Sequence, residues 1–478
     1  PSLAQVVFIS GGHRDSPPCD TARPREMALA RLRFPAACVR LVRLHRALGS
    51  SAEPGQHQTP IVDQLWKRRQ EAKQKRDEEL QRAVAGESPA ERTLITKTPE
   101  DSASSITYEF SKPENGALTD RYRNPWGLFR VGRLLEDLDA LAGTIAFDHC
   151  KSPNPLDEDL HIVTASVDRI KYMHRPSVKD DIHMCGQVTF VGRSSMEISM
   201  QARCSWSDQL FMESNFTFVA RDPKTNKATE INSLRVTTPE EKMRFELGRQ
   251  RDAARKARRN KSKANILGRA LDEEGIAAAR ELLREGTILR TMPTLADTGE
   301  VLMQETVLQN TLTAMPQHRN TAGRIFGGFL MRRAYELAHA TAYVFGGRKP
   351  VFMELDEVLF RSPVSVGDLL RLDSSVLYTS ENVDPKGRAT IHVEVIANVL
   401  VPEKRQAVTS NIFNFTFGLS DGHGAAMLGK DIELRRVVPS TFEEACRVIE
   451  RYQGDLEQVE EEMAMTRASS APPEAGGR

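Results

Sequence analysis

The chain has 478 residues, 40% of them hydrophobic, which is enough for two or three domains with ordinary cores. A formal net charge of +1 points to no particular partner, and no run approaches the ~18 consecutive apolar residues of a membrane helix, so no integral membrane segment is expected. Six cysteines (Cys19, Cys38, Cys150, Cys185, Cys204, Cys446) lie scattered without a C-x-x-C pair, which argues against zinc ligation and against a disulfide framework; neither a metal nor a cofactor is indicated.

In chain order, the first readable segment opens at Met27. MALARLRFPAACVRLVRLHRALGSSA carries Arg31, Arg33, Arg40, Arg43 and Arg46, and the first acid after Met27 is Glu53. Arginine-rich, acid-free and amphipathic, it has the composition of a mitochondrial transit peptide, with cleavage expected near residues 48–55; an unstructured basic tail is the alternative. Residues 62–85 read as a charged helix with few apolar positions, and 86–118, rich in Ser, Thr, Pro and Gly, as a linker. A second charged stretch begins at Pro239 and includes the basic run RQRDAARKARRNKSK (249–263). No aromatic residues are interleaved in it for base stacking, so a solvated interdomain helix is expected rather than a nucleic-acid partner. After Gly454 the tail is acidic, then small and Pro-rich, and a frayed end is expected.

Between these stretches lie two similar blocks, 105–235 and 298–425. The run NFTF occurs at Asn215–Phe218 and again at Asn414–Phe417. Both copies match a glycosylation triplet, but they sit inside apolar strand-like runs and are discounted. S-V-D-R-I (166–170) matches E-L-D-E-V (354–358), and a glycine opens a helix-like run at Gly132 and at Gly327. Landmarks in the same order at offsets of 199 (Asn215 to Asn414), 188 (Asp168 to Asp356) and 195 (Gly132 to Gly327) predict duplication of one domain. In the second block, helical spacing over Phe329–Phe345 ends at Gly346-Gly347, as at a C-cap. Strand-like runs follow at Val351–Phe360, Leu369–Tyr378, Thr390–Val401 and Ala407–Leu419. The first block repeats the pattern with a helix over Leu134–Phe147 and strands near 161–174, 182–191, 195–206 and 210–220. One long helix followed by antiparallel strands predicts an α+β domain with a sheet wrapped around the helix.

Specific motifs join this pattern. N-T-A-G-R-I-F-G-G-F-L-M (Asn320–Met331) resembles the N-x-x-G-x-x-F-G-G-x-x-M signature of hotdog acyl-CoA thioesterases. LFRSPVSVGDLLRL (359–372) resembles that family's F-x-x-P-x-x-V-G-D strand pair, and VGRSSMEI (191–198) its V-G-x-S-S strand start. RYRNPWG (121–127) and RLLEDLDALAG (133–143) resemble the first domain of the mitochondrial double-hotdog subfamily. The resemblance implies a tandem hotdog with composite sites where paired domains meet. It also implies hydrolysis of acyl-CoA to a free acid and CoA, with no metal and no nucleophilic serine or cysteine. The expected organisation is residues 1–55 as presequence to the mitochondrial matrix, 56–104 as charged helix and linker, 105–235 as hotdog domain 1, 236–297 as helical linker, 298–425 as hotdog domain 2 and 426–478 as a C-terminal helix and tail.

Thioester hydrolysis needs an oriented water, a stabilised oxyanion and a grip on CoA. Gly327-Gly328 begins the second helix, where free N–H groups and the positive end of the dipole are found; the Gly328 N–H, with Gly327, is the expected oxyanion donor, close helix–sheet packing being the alternative. Asn320, in the N-x-x-G position, is expected to orient the water or hold the thioester, or to cap a turn. A general base is also required. Where related sequences often carry an acid on the second helix, this chain has Tyr335, with Glu336 beside it. The first helix has Glu136, Asp137 and Asp139, which cannot all be core residues, so at least one is expected to face solvent or a site. Asp139, in a D-x-x-A position resembling the family's acid, ranks first and Asp137 second. The first block lacks the glycine pair, having Gly132-Arg133, so the acid is expected from one half and the Asn/Gly-Gly loop from the other. His318 is a weak candidate base. Arg193, Ser194 and Ser195 are the candidate CoA-phosphate contacts, with Lys386 and Arg388 at the equivalent point of the second block; an ordinary strand-edge turn is the alternative. The competing readings are a non-catalytic acyl-CoA-binding hotdog protein and a hotdog dehydratase. A homo-oligomer is expected, because tandem hotdogs leave edges and faces for symmetric assembly.

Overall fold

The computed structural model describes residues 59–82, 92–154, 157, 160–262, 271–320, 323–380, 389–419 and 434–470. The Met27 segment, Lys386 and Arg388 lie outside the described residues. The first helix, α1 (Pro60–Arg82), packs chiefly through its start, where Ile61, Val62 and Leu65 are buried and Trp66 is half-buried. The stretch expected as a linker instead contains strands β1 (Thr96–Lys97) and β2 (Ser104–Tyr108) and a short helix α2 (Gly116–Tyr122). The β-branched Thr and Ile residues there find sheet partners, and Tyr108 and Tyr122 become core residues.

Helix α3 (Val131–Cys150) is the axis of the first half and is buried along nearly its whole length. Strands β3 (His161–Val167), β4 (Ile170–Tyr172), β5 (Ile182–Val191), β6 (Ser195–Cys204) and β7 (Leu210–Arg221) follow as antiparallel neighbours, and β8 (Ser233–Leu234) pairs in parallel with β1. Two helices, α4 (Pro239–Ser262) and α5 (Glu273–Thr291), lead to the second half. There β9 (Glu300–Leu302) and β10 (Leu308–Thr313) precede helix α6 (Gly327–Gly346). Gly347 ends α6 in the left-handed region, φ 62°, with its N–H bonded to Tyr343 C=O at 3.0 Å, the C-cap expected there. Strands β11 (Pro350–Leu355), β12 (Val358–Leu359), β13 (Leu369–Ser380), β14 (Thr390–Val401), β15 (Gln406–Leu419) and β16 (Arg436–Val438) and helix α7 (Phe442–Ser470) complete the chain.

Twelve strands form one sheet, whose main path runs β10-β13-β14-β15-β11-β4-β7-β6-β5-β2. The halves join where β4 meets β11 (Ile170 opposite Leu355) and β3 meets β12 (Val167 opposite Val358). The repeated S-V-D-R-I and E-L-D-E-V segments make this junction. Asp168 N–H bonds to Asn215 C=O at 2.8 Å, and Asp356 N–H bonds to Asn414 C=O at 3.0 Å, so both NFTF strands hold their acid in the same way.

Helices α3 and α6 cross closely because each has a glycine at the contact. A Cβ on Gly328 would lie 2.9 Å from Asp139 Cβ and from Glu136 Cα, and one on Gly132 would lie 3.1 Å from Arg332 Cγ. Helix α4 is exposed over most of its described length, as expected, but one face grips the sheet. Arg251 and Arg255, four residues apart and so on one face, bind the fully buried Glu197 at 2.6 and 3.1 Å, and Arg255 also binds Asp168 at 3.1 Å. Helix α7 repeats this, with Arg447 on Glu394 and Arg451 on Asp356. Leaving such a buried carboxylate without its partner costs about 3–5 kcal/mol, which fixes both helices to the sheet. The segment after Gly454, expected to fray, is helical as far as Ser470: Asp455 is buried, accepts from Tyr378 Oη and pairs with Arg451 at 2.8 Å; residues 471–478 lie outside the described residues. Among the described residues no helix is long and apolar enough to cross a membrane.

Candidate active site

Asn320 follows a single helical turn at Pro316–His318 and begins a loop that returns to the start of α6. Its side-chain Oδ1 accepts the Arg324 N–H at 3.0 Å, and its C=O accepts the Gly323 N–H at 3.0 Å. Gly323 has φ 77°, a conformation that favours glycine, and this permits the reversal. Phe326 N–H closes the loop on His318 C=O at 3.0 Å. Asn320 therefore stands beside the N-terminus of α6 because local hydrogen bonding folds it back there.

The acid comes from the other half. Asp139 on α3 is buried; its Oδ2 accepts the Gly328 N–H at 2.6 Å and its Oδ1 accepts the Thr164 hydroxyl of β3 at 2.9 Å. Burial, offset in part by these two donors, pushes its pKa up to about 6. Asp139, Thr164, Asn320 and Gly327 line a cavity of about 30 Å³, with Ile162, Phe218 and Leu65 as apolar wall. That is space for one water between a carboxylate, an amide and a helix N-terminus.

The other candidates are placed differently. The Gly328 N–H, expected at the oxyanion, donates instead to Asp139, since the helix N-terminus attracts the nearest carboxylate. Glu136, Asp137 and Asp139 are all buried, each with partners on another element or nearby in the chain, and Asp139 is the one of the three that faces the cavity. Glu136 pairs with Arg332 at 2.9 Å and Arg133 at 3.2 Å. Asp137 accepts from Tyr108 Oη at 2.9 Å and from Tyr122 Oη and does not line the cavity; burial raises its pKa to about 7. His318 stacks on Phe329 at 4.0 Å, and burial with Arg332, Arg133 and Arg333 lowers its pKa to about 4, so it is a weak base near neutrality. Glu336 is held by Arg130, Arg332 and Arg333 at 2.8–3.3 Å. Arg193 is exposed, bonds Glu230 at 2.8 Å and borders a separate cavity of about 400 Å³ that also meets Gly192, Leu234 and Phe245. Ser194 C=O accepts Ala220 N–H at 2.9 Å and Ser195 C=O accepts Gly192 N–H at 2.8 Å, so these serines shape the strand turn beside Arg193.

Residues 132–205 match the family model described as thioesterase superfamily. The chain is 43% identical over 404 residues to a mitochondrial acyl-coenzyme A thioesterase 4 of Humulus lupulus, covering 83% of this chain and 73% of that protein. It is 42% identical to a chloroplastic acyl-coenzyme A thioesterase 2 of the same plant, covering 83% of this chain and 89% of that one. It is 35% identical to the human mitochondrial acyl-coenzyme A thioesterase 9, over 70% of this chain and 72% of that protein. The chain belongs to the acyl-CoA thioesterase family. Its α+β fold, helices against antiparallel sheet, is the hotdog thioesterase fold.

The thioesterase carries a second copy of the loop that the motif reading overlooked. Asn124 N–H bonds to Leu128 C=O, Gly127 N–H to Asn124 C=O at 3.1 Å, and Asn124 Oδ1 accepts Leu128 N–H at 2.9 Å, reproducing the Asn320 loop with Gly127 at φ 78°. This aligns N-P-W-G (124–127) with N-T-A-G (320–323), and Gly132 with Gly328 rather than Gly327. The glycine pair of the first half is thus Val131-Gly132, not Gly132-Arg133. Opposite Gly132 the Asp139 position is taken by Tyr335, which packs against it. The Thr164 position is taken by Phe352: both are paired across the sheet with the third residue of an NFTF copy's F-T-F, Phe218 and Phe417 respectively. Tyr335 and Phe352 meet edge-on at 5.3 Å between ring centres, and Phe415 and Phe417 close round Tyr335. An acid–hydroxyl pair in one position is an aromatic pair in the other.

Proposed function

We propose that this thioesterase hydrolyses acyl-CoA to a free acid and CoA at one composite site, with Asp139 from the first half and the Asn320 loop and Gly327-Gly328 from the second. The observation that carries the reading is the Gly328 N–H bond to Asp139 across the two central helices beside a water-sized cavity. The Asp139 carboxylate, oriented by Gly328 N–H and Thr164, takes a proton from the water as its oxygen attacks the thioester carbonyl carbon. The negative charge that develops on the carbonyl oxygen faces the first N–H groups of α6, with Gly327 as donor. The Asn320 amide orients the water or the carbonyl. Collapse of the tetrahedral intermediate breaks the C–S bond, and Asp139 returns its proton to the departing CoA sulfur. At the Asn124 loop the aromatic pair Tyr335–Phe352 stands in place of the acid–hydroxyl pair, which supports one working site.

The proposed framework is a tandem hotdog, with domains over 105–235 and 298–425 and a charged helical connection over 236–297. The repeated loop, the repeated Asp–NFTF bond and the paired arginine grips of α4 and α7 support it. CoA phosphate is assigned to Arg193, with Ser194 and Ser195, where the 400 Å³ cavity offers room for a nucleotide. The Met27 segment and the mitochondrial names of two relatives support import to the matrix, followed by cleavage near residues 48–55; a cytosolic C-terminally tagged chain would contradict this. The ends of the long sheet support a homo-oligomer, which light scattering at micromolar concentration tests. The activity itself is tested by thiol release from purified protein against acyl-CoAs of graded chain length. Failure with every chain length would overturn the reading.

A further inference from the structure

We infer that Leu65 of helix α1 sets the length of acyl chain the site accepts, and that the preferred substrates are short-chain acyl-CoAs; the inference rests on the thioesterase reading above. Leu65 is buried and, among the described residues, is the one from α1 that lines the Asp139–Asn320 cavity. It sits over Gly143, one helical turn beyond Asp139 and on the same face of α3: a Cβ on Gly143 would lie 4.0 Å from Leu65 Cδ2. The polar end of the cavity (Asp139, Thr164, Asn320) is where the carbonyl reacts, and the apolar end (Leu65, Ile162, Phe218) is where the acyl tail must go.

The space between these ends is about 30 Å³, roughly the share of one water molecule. That space is filled by the attacking water, so an acyl tail has to run along the apolar wall, and only a short one does so without meeting Leu65. A longer chain meets the Leu65 side chain in the path that Gly143 would otherwise leave open. Helix α1 is fastened to both sides of the site. Ile61 and Val62 enter the core, Arg68 pairs with Asp148 of α3 at 2.8 Å, and Trp66 lies under Arg319, the residue before Asn320, at 5.6 Å. The wall is therefore fixed against both the helix that supplies the acid and the loop that supplies the amide. No sequence motif marks it, since Leu65 lies in a charged helix ahead of both repeated blocks.

The test uses the full chain and thiol release from acetyl-, butyryl-, hexanoyl- and octanoyl-CoA. The wild type should show kcat/KM falling with chain length. Leu65→Ala should raise the octanoyl-to-acetyl ratio of kcat/KM about tenfold or more, the scale on which a pocket discriminates a methylene. Leu65→Phe should lower that ratio. The two opposite shifts separate pocket length from general damage, and Leu65→Phe carries the test if Leu65→Ala does not fold. A wild type that prefers octanoyl-CoA, or three proteins that hydrolyse acyl-CoA with one unchanged profile, would overturn the inference while leaving the thioesterase reading intact. Hydrolysis of none of the four, nor of any longer acyl-CoA, by the wild type would overturn the thioesterase reading itself.

Discussion

Replacing Asp139 by asparagine keeps the shape of the side chain and removes the base. The carboxylate has one donor on each oxygen, Gly328 N–H at 2.6 Å and Thr164 Oγ at 2.9 Å, and asparagine can keep at most the bond from one of them to its single carbonyl oxygen. Loss of a positioned base lowers turnover by about two to four powers of ten, equivalent to about 3–5.5 kcal/mol in the barrier. The wild-type pH profile carries the same signature. With a pKa of about 6, raised first by burial, the group is roughly 9% ionised at pH 5 and roughly 91% at pH 7, so kcat/KM should fall about tenfold between pH 7 and pH 5. Thr164→Val removes a hydrogen bond that favours the charged form. Such a bond is worth about 1.5–3 kcal/mol, so the limb should move to higher pH by about one to two units. The assay is thiol release from pH 4.5 to 9 with kcat and KM separated. An Asp139→Asn protein that keeps more than a tenth of wild-type turnover, or a Thr164→Val profile that stays in place, would refute the assignment.

Arg193→Ala should chiefly raise KM for acyl-CoA with kcat nearly unchanged, because a phosphate contact remote from the carbonyl is as strong in the ground state as in the transition state; an equal loss in kcat would contradict that placement. Asp137→Asn should raise the melting temperature above pH 7. Burial lifts the folded pKa of Asp137 to about 7, so the folded state favours the protonated acid and the wild type loses stability as pH rises from about 4 through 7; the advantage of Asn should fade below pH 4, and scanning calorimetry at pH 4 and pH 8 reads the difference.

The helices and strands of both halves were legible because their signals are local. Helical spacing over Leu134–Phe147 and Phe329–Phe345 lies inside α3 and α6, and Thr390–Val401 is β14 end to end. Partner choice across long sequence separations was not legible. Three acids in one turn of α3 implied that one faces a site, as Asp139 does, but not that Glu136 finds Arg332, Asp137 two tyrosines, and Asp139 Gly328 and Thr164. The basic run of α4 looked solvated, because the carboxylates that Arg251 and Arg255 neutralise lie on β6 and at the end of β3. The Asn124 loop was hidden because its glycine and asparagine recur without the neighbouring G-G. The cross-strand pairing of Phe218 and Phe417 was needed to set Phe352 opposite Thr164 in the comparison of the two halves.

The central claim, that Asp139 of one half and Asn320 of the other act on the same water or carbonyl, is tested most directly by a double-mutant cycle. Single-turnover rates of Asp139→Ala, Asn320→Ala and the double variant, each checked for native melting, are compared with the wild type. Each single change should cost about two to four powers of ten, and the double variant should be little slower than the worse single. Losses that multiply would mean that the two residues act independently and would contradict a composite site.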